Sequence, residues 1–261
     1  MFLSDITDVL KYKYILNNKD AEISGICCDT RKLVPGSLFV CITGSNDDGH
    51  RYIKEAIEKK AAAIIVEKET EVADIPVICV ENSRKALAEA AAAFYGFPSK
   101  KIRIIGVTGT NGKTSVSFMI KNILEQCGYK VGLIGTVCNM IGDNKYPAEY
   151  TTPDAIELNK LFKEMEEEKV NYVVMEVSSH SLSQDRVYGI DFAVSVVTNI
   201  TSDHMDYYKT AEEYARAKAK LFSMSAISVL NCQDDYYELM SENASGHITT
   251  YGKECENADV N

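Results

Sequence analysis

The stretch that decides the fold is "IRIIGVTGTNGKTSVSF", residues 102–118. It opens with an apolar run typical of a buried strand, passes through two glycines and an asparagine, and enters a helical pattern at a Lys-Thr pair. It departs from the P-loop pattern G-x-x-x-x-G-K-[ST], because the first glycine of that pattern would fall at position 107, which is Val107. The setting nevertheless suits a phosphate group, since small residues let backbone N–H groups approach it and a helix N-terminus supplies positive potential.

We therefore predict nucleotide binding at this loop. Lys113 can reach the terminal phosphates, and the Thr114 hydroxyl can bind Mg²⁺. The alternative is a glycine-rich turn between strand and helix with a chance Lys-Thr pair. The residues predicted to contact ATP are Gly109, Thr110, Asn111, Gly112, Lys113, Thr114 and Ser115.

Outward from this loop, the pattern divides the chain into two α/β domains, at residues 1–97 and 98–261. The second domain repeats strand then helix, which predicts a doubly wound, mainly parallel, P-loop ATPase-like sheet. Its end, just after the strand pattern "HITTY", is expected to leave that sheet incomplete. Two of its helices are predicted to begin at a threonine: Thr152 before Pro153, and Thr210 with Glu213 as a capping box.

The first domain is expected to be small, with short apolar strands and two helices. The helix at 83–95 is alanine-rich and is stopped by Gly96 and Pro98. The helix at 48–61 is amphipathic. Its apolar face is predicted to carry Tyr52, Ile53, Ala56 and Ile57.

Composition excludes several classes of function. The net charge is -10 and the pI is about 5.0, which argues against a nucleic-acid binder. The eight cysteines include no C-x-x-C pair, so we interpret them as buried thiols of a reducing cytosol rather than a metal cluster. The N-terminus lacks a signal-peptide pattern, and the apolar runs are too short to span a bilayer. We expect a cytoplasmic protein that binds neither nucleic acid nor membrane.

Four further stretches narrow the interpretation: "CDTRKLVPGSLFVCITGSNDDGHRYI" (28–53), "YTTPD" (150–154), "MEVSSHSLSQDRV" (175–187) and "TNITSDHMDYYKTAEEYARAKAKLF" (198–222). Together with "GTNGKT" they resemble the Mur ligase family, and within it the branch that adds the third residue of the peptidoglycan stem peptide. The resemblance covers nearly the whole chain. The loop alone would also fit the related folylpolyglutamate synthases.

The resemblance implies a metal-dependent site with four catalytic residues, Lys113, Glu176, His204 and Lys218. Thr114 and Glu176 would bind the Mg²⁺ that bridges the ATP phosphates, and His204 would bind a second Mg²⁺. Lys218 matches the family lysine that carries a carbamate formed with CO₂. From residue type alone, Glu176 could be a solvated strand-end carboxylate, His204 a structural loop residue, and Lys218 part of a solvated basic helix face.

The resemblance also implies contacts to a UDP-N-acetylmuramoyl dipeptide. In the first domain, Ser is commoner in the family than Thr at position 30, and His-Gln is commoner at 45–46, so the contacts at 45–47 could instead be a plain turn. Thr152 could instead serve only as a helix cap. The implied substrate-binding residues are Thr30, Ser45, Asn46, Asp47, Thr151, Thr152, Ser178, Gln184 and Arg186.

The activity implied is ATP-dependent ligation by a monomer. The substrate carboxyl would attack the γ-phosphate to give an acyl phosphate and ADP, and an incoming amine would then displace phosphate. The amine, meso-diaminopimelate or L-lysine, would be chosen by a C-terminal domain whose pattern is not seen, so this chain alone is expected to bind substrates without completing ligation. The alternatives are a non-catalytic nucleotide-binding homologue and a P-loop GTPase, although no N-K-x-D motif is present.

Overall fold

The computed structural model describes residues 1–44, 47–70, 74–201, 203, 207–253, 256 and 258–261. The chain forms two compact units, Met1–Phe97 and Pro98–Asn261. Each is an α/β unit built around its own sheet, so the predicted fold class is confirmed.

The first unit contains a five-stranded sheet in the order β1-β5-β4-β3-β2, in which only β1 runs antiparallel to its neighbour. Its core gathers Phe39, Ile64, Val77 and the thiols of Cys41 and Cys79. The strands are Tyr12–Leu16 (β1), Gly25–Cys27 (β2), Ser37–Val40 (β3), Ala63–Val66 (β4) and Val77–Val80 (β5), and the helices are Leu3–Thr7 (α1), Ile53–Glu58 (α2) and Ser83–Phe94 (α3).

The second unit contains an eight-stranded sheet in the order β13-β12-β11-β6-β10-β7-β8-β9, parallel except for the β7–β8–β9 edge. Its strands are Arg103–Thr108 (β6), Val131–Ile134 (β7), Asn139–Ile141 (β8), Asn144–Tyr146 (β9), Tyr172–Glu176 (β10), Phe192–Val197 (β11), Ser225–Asn231 (β12) and His247–Tyr251 (β13). Its helices are Lys113–Gln126 (α4), Ala155–Glu167 (α5), Ser179–Ser183 (α6), Ala211–Ala219 (α7) and Tyr237–Asn243 (α8).

The α5 helix shows how sequence pattern becomes packing. Leu158, Leu161, Phe162 and Met165 follow the i, i+3, i+4, i+7 spacing of one helix face, and all four are buried in one cluster with β6 and β10. The start of this helix differs from the prediction. Asp154, and not Thr152, is the N-cap, because its carboxylate accepts from two backbone N–H groups of the first turn.

Three other sequence predictions need correction. The stretch 48–61 is not one helix, because Gly49–Tyr52 forms a 3₁₀ turn before α2. Tyr52 does not join the apolar face: it is 38% exposed, and its hydroxyl donates to Asp47.

The Thr210 cap is present at α7, but the Glu213 carboxylate accepts from the N–H of Lys209 rather than from that of Thr210.

The cysteines are less uniformly buried than expected. Cys27, Cys41 and Cys79 are buried, but Cys127 at the end of α4 is exposed, and Cys255 lies outside the described residues. Burial raises the pKa of the Cys27 and Cys41 thiols to about 12, which makes both poor nucleophiles.

Across the described part of the chain, no helix has the length and apolar character needed to cross a membrane.

Candidate nucleotide and substrate site

The candidate site lies where parallel strands of the second unit end together. The sheet register pairs Val107 of β6 with Glu176 of β10, and Thr108 of β6 with Val197 of β11. The loop after β6 and the side chain of Glu176 therefore emerge side by side. The carboxyl ends of parallel strands are the usual place for a ligand in such sheets.

The loop 109–112 turns sharply into α4. Gly109 and Gly112 have φ values of +138° and +86°, a region that side-chain-bearing residues rarely adopt. A Cβ at Gly109 would also overlap the hydroxyl of Thr198. The first N–H groups of α4 have no acceptor within the helix, so they are oriented toward whatever occupies the loop.

The segment after β11 holds this loop in shape. The backbone N–H of Thr110 donates to the carbonyl of Asn199 at 2.8 Å, and the Asn199 side chain contacts both the N–H and the carbonyl of Asn111. Thr198 donates to the Asn111 carbonyl at 2.7 Å. The Thr110 hydroxyl donates to the carbonyl of Thr201 at 3.1 Å and accepts from its N–H. The loop is thus anchored from a second strand end.

Two lysine amines meet at one loop carbonyl. Nζ of Lys113 donates to the carbonyls of Gly109 at 3.0 Å and Thr110 at 2.9 Å. Nζ of Lys218, on α7, donates to the same Gly109 oxygen at 2.8 Å and lies 4.5 Å from the ring centre of Tyr214. Lys218 is only 1% exposed, so the view that it belongs to a solvated basic face is wrong.

Burial lowers the pKa of both amines. Desolvation, followed by repulsion from Lys113, lowers the pKa of Lys218 to about 7, although Asp203 opposes the shift. Desolvation also lowers the pKa of Lys113, against the attraction of Glu176 and Asp203. A substantial fraction of Lys218 is therefore a neutral, nucleophilic amine near neutral pH.

Glu176 is buried among hydroxyl and amide donors and is not a solvated carboxylate, since it is 1% exposed. Its Oε2 accepts from the hydroxyls of Thr114 at 3.0 Å and Thr136 at 2.9 Å, and its Oε1 accepts from the Thr136 N–H at 3.0 Å. The Thr114 hydroxyl and the Glu176 carboxylate are hard oxygen donors. This donor set fits Mg²⁺, which is commonly bound by one or two protein oxygens together with phosphate.

The polar residues predicted for the substrate gather beside Glu176. The Thr151 hydroxyl lies 3.0 Å from that of Thr136. The Thr152 hydroxyl donates to the Glu176 carbonyl at 2.9 Å and accepts from the Ser178 N–H at 3.1 Å. Since Thr152 is 1% exposed, its side chain ties two backbone segments together.

Arg186 is held at the same place. Its guanidinium donates to the Thr152 carbonyl at 2.8 Å and, through two nitrogens, to the Gln184 side-chain oxygen. It also lies 5.3 Å from the ring centre of Tyr150. Gln184 therefore orients the guanidinium fork, which can pair with a carboxylate or phosphate.

The first unit has its own cavity, of about 530 Å³. Its lining includes Thr30 and Asp47, two of the residues that the resemblance assigns to the uridine nucleotide. Asp47 accepts from the Tyr52 hydroxyl at 2.8 Å, and the Thr30 carbonyl accepts from Lys59 at 2.9 Å. Ser45 and Asn46 lie outside the described residues.

His204 and the flanking Asp206, predicted beside a second Mg²⁺, also lie outside the described residues. Where the structure describes the chain, no cluster of three or more His, Cys, Asp and Glu side chains could hold a metal ion. The predicted ligands Thr114 and Lys218 are not of those types.

Sequence reasoning missed Thr136, Thr198 and Asn199. Thr198 and Asn199 stand in the quoted stretch "TNITSDH", where their position at a strand end could have indicated a role. Thr136 follows the apolar strand "KVGLIG" and has no motif of its own. Only its contact with Glu176, 40 positions further along the chain, reveals it.

The fold and the glycine-rich loop define an α/β protein with a candidate phosphate-binding loop at the carboxyl edge of its sheet. The Mur ligase middle domain matches residues 107–261, and the Mur ligase family catalytic domain matches residues 22–95. The chain belongs to the Mur ligase family, as the resemblance indicated.

Two curated relatives share a name. A UDP-N-acetylmuramoyl-L-alanyl-D-glutamate–2,6-diaminopimelate ligase of Clostridium botulinum is 50% identical over 264 residues, covering 100% of this chain and 54% of that protein. A Bacteroides fragilis ligase of the same name is 44% identical, covering 96% of this chain and 53% of its own length. The chain spans about half the length of the relatives it matches.

Solved structures agree on the fold. A diaminopimelate ligase of the same name superimposes with a TM-score of 0.79 at 29% identity, over 91% of this chain and 50% of that one. A Thermotoga maritima MurF ligase in complex with ADP gives 0.53 at 22% identity, over 90% of this chain and 51% of that one. A Mycobacterium tuberculosis folylpolyglutamate synthase gives 0.53 at 19% identity and covers 62% of this chain and 46% of its own.

Proposed function

We propose that this chain carries the ATP-binding and UDP-substrate-binding parts of a ligase of peptidoglycan synthesis. The ligase adds a third residue to UDP-N-acetylmuramoyl-L-alanyl-D-glutamate. The observation that carries the proposal is that Lys113 and Lys218 meet at the loop 109–112, while Thr114 and Glu176 contact each other at the start of α4 beside it. The protein acts in the cytoplasm as a monomer.

Binding of ATP follows from the charges of the loop. The Lys113 amine lies at the Gly109 carbonyl, and the N-terminus of α4 adds its own positive potential. A triphosphate would replace the loop carbonyls as the partner of Lys113. The Thr114 hydroxyl and Glu176 would hold Mg²⁺, which when bound supplies charge neutralisation at the phosphates.

The reaction is the activation of a carboxyl group. A carboxylate oxygen of the substrate's D-glutamate attacks the γ-phosphorus, and the bond to the bridging oxygen breaks, so that ADP leaves and an acyl phosphate remains. The amine then attacks the acyl carbon, phosphate leaves, and a proton is lost from nitrogen as the amide forms. Lys113 would lie beside the phosphates and offset the repulsion between the two anionic reactants.

Lys218 acts as a carbamate. Its neutral amine attacks the carbon of CO₂, and one proton passes to solvent, which converts a potential cation into a fixed anion. The low pKa of this amine supports the reaction, because a neutral amine is needed. With His204, the carbamate would hold Mg²⁺ and would help to position the substrate carboxyl.

The substrate is recognised in two parts. In the second unit, Thr151, Ser178, Gln184 and Arg186 contact the muramoyl peptide, and the guanidinium fork pairs with a carboxylate. In the first unit, the uridine part occupies the cavity with Thr30, Ser45, Asn46 and Asp47. Asp29, Asp47 and Glu55 line that cavity and outnumber the guanidinium of Arg31, which is paired with Asp29 at 2.7 Å. The cavity therefore suits the N–H and hydroxyl groups of a nucleoside better than its phosphates.

The names of the relatives at 44–50% identity favour 2,6-diaminopimelate over L-lysine as the amine. A folylpolyglutamate synthase is disfavoured, since that fold matches only 62% of this chain.

Calorimetric titration of this chain tests the proposal. Mg-ATP and UDP-N-acetylmuramoyl-L-alanyl-D-glutamate should each bind one site, and UDP-N-acetylglucosamine, which lacks the peptide, should bind more weakly than the dipeptide. GTP should bind more weakly than ATP. Equal binding of the two UDP compounds, or preference for GTP, would contradict the proposed function.

A further inference from the structure

Thr136 lies just beyond the carboxyl end of β7 and is exposed, whereas the carboxylate it contacts is buried. Its backbone N–H donates to one oxygen of Glu176 at 3.0 Å, and its hydroxyl lies 2.9 Å from the other. One residue therefore engages both carboxylate oxygens. Two such contacts fix the rotation of the carboxylate as well as its position.

The neighbouring Gly135 permits this approach. A Cβ at Gly135 would overlap Oε1 of Glu176 and would lie 3.0 Å from the carboxylate carbon. Because Gly135 has no side chain, the Glu176 carboxylate can approach the backbone just beyond the end of β7. A side chain at this position would push Glu176 away from Thr136 and from the Thr114 hydroxyl on the other side.

The protons of this cluster can be assigned by counting. An ionised carboxylate only accepts, and each threonine hydroxyl has one proton. The Thr136 proton therefore goes to Glu176, so at the 3.0 Å contact with Thr151 the Thr136 oxygen must accept. Thr151 therefore donates to Thr136, and Thr136 donates to Glu176. Glu176 also accepts from Thr114.

We propose that Thr136 is a positioning residue that orients Glu176 for Mg-ATP and couples it to the muramoyl-peptide contact at Thr151. The inference rests on the proposed function. This hydrogen-bond arrangement also limits which group of the muramoyl peptide can meet Thr151. Because the proton of Thr151 is committed to Thr136, Thr151 offers only lone pairs, and the ligand group that meets it is an N–H or O–H donor.

The test compares Thr136→Val, which removes the hydroxyl at nearly constant shape, with Thr136→Ser, which keeps it. ATP is titrated with Mg²⁺ and with EDTA. Thr136→Val should weaken Mg-ATP binding roughly tenfold or more, the scale of a lost hydrogen bond to a charged group, while binding in EDTA is unchanged. Thr136→Ser should remain within roughly threefold of wild type, and Thr136→Ala, which opens no core cavity at an exposed position, should match valine.

The coupling is measured by titrating Mg-ATP with and without saturating UDP-N-acetylmuramoyl-L-alanyl-D-glutamate. In the wild type the second ligand should change the ATP affinity, and in Thr136→Val that change should disappear. If the wild type binds Mg-ATP but both hydroxyl-free variants bind it equally well, the inference is overturned and the proposed function stands. If the wild type binds no Mg-ATP, the proposed function fails, and this inference fails with it.

Discussion

Replacing Lys218 with methionine removes the buried amine but keeps an unbranched side chain of similar length. In the folded protein the pKa of this amine is about 7, whereas in the unfolded chain it returns to the ordinary value near 10.4. Between these values the unfolded chain binds a proton that the folded protein has released. The free energy of unfolding of the wild type must therefore rise with pH across this window.

The size of the effect follows from the shift. Each pH unit is worth at most about 1.4 kcal/mol per proton, and the slope is half of that at pH 7, where the folded group is half titrated. The difference in free energy of unfolding, wild type minus Lys218→Met, should thus increase by about 2 kcal/mol from pH 7 to pH 9. Groups common to both proteins cancel in this difference.

Urea unfolding followed by circular dichroism, in buffers freed of CO₂, measures this difference. Lys220→Met is the matched control, because Lys220 is exposed one residue beyond the end of the same helix and should show no such trend. A difference that stays constant from pH 7 to pH 9 would refute the buried, neutral amine. Adding CO₂ at pH 8 should then alter the stability of the wild type and leave Lys218→Met unchanged, as carbamate formation requires.

Lys113→Ala should weaken Mg-ATP binding by about 1.5–3 kcal/mol, the scale of a charge-assisted hydrogen bond, and calorimetry showing unchanged affinity in the folded variant would contradict the loop's role. Gly109→Ala should lower both the thermal midpoint and the ATP affinity, because its Cβ would overlap Thr198 and its φ is strained; a wild-type melting curve would exclude this. Phe162→Ala should cost about 3–5 kcal/mol of stability, since Phe162 is fully buried, whereas Lys160→Ala on the exposed face of the same helix should change it by less than about 0.5 kcal/mol.

The parallel strands and long helices of the second unit could be predicted because each has a strong local pattern, whereas the short antiparallel strands β8 and β9 were not predicted. The four apolar positions of α5 and the glycine-rich turn before α4 are visible within a few residues. The predicted start of α5 at Thr152 is wrong, because Thr152, Pro153 and Asp154 are all plausible at a helix start. Tertiary contacts decided between them: Thr152 is drawn into hydrogen bonds with Glu176 and Ser178, which leaves Asp154 as the cap.

The candidate site was predictable only where a residue carries a motif or a family match. The loop motif predicts roles for Lys113 and Thr114. Composition alone, in contrast, would place Lys218 equally well on a solvated basic helix face. Its burial results from α7 packing beside the loop, which no local pattern encodes. Thr136 depends on the register that places β7 next to β10, so it could not be found before the sheet order was known.

The set of hydrogen bonds between the loop 109–112 and the segment 198–201 bears on the order of folding. Its hydrogen bonds join residues 87 to 91 positions apart, so closing them requires β11 to have docked beside β6. Contacts of such separation form slowly, because a long chain segment must first be ordered. During synthesis, the Gly-Lys-Thr sequence and its helix emerge well before the segment that shapes them. A nascent chain ending before β11 would therefore possess the motif but not the site, and nucleotide binding would begin only as the sheet closes.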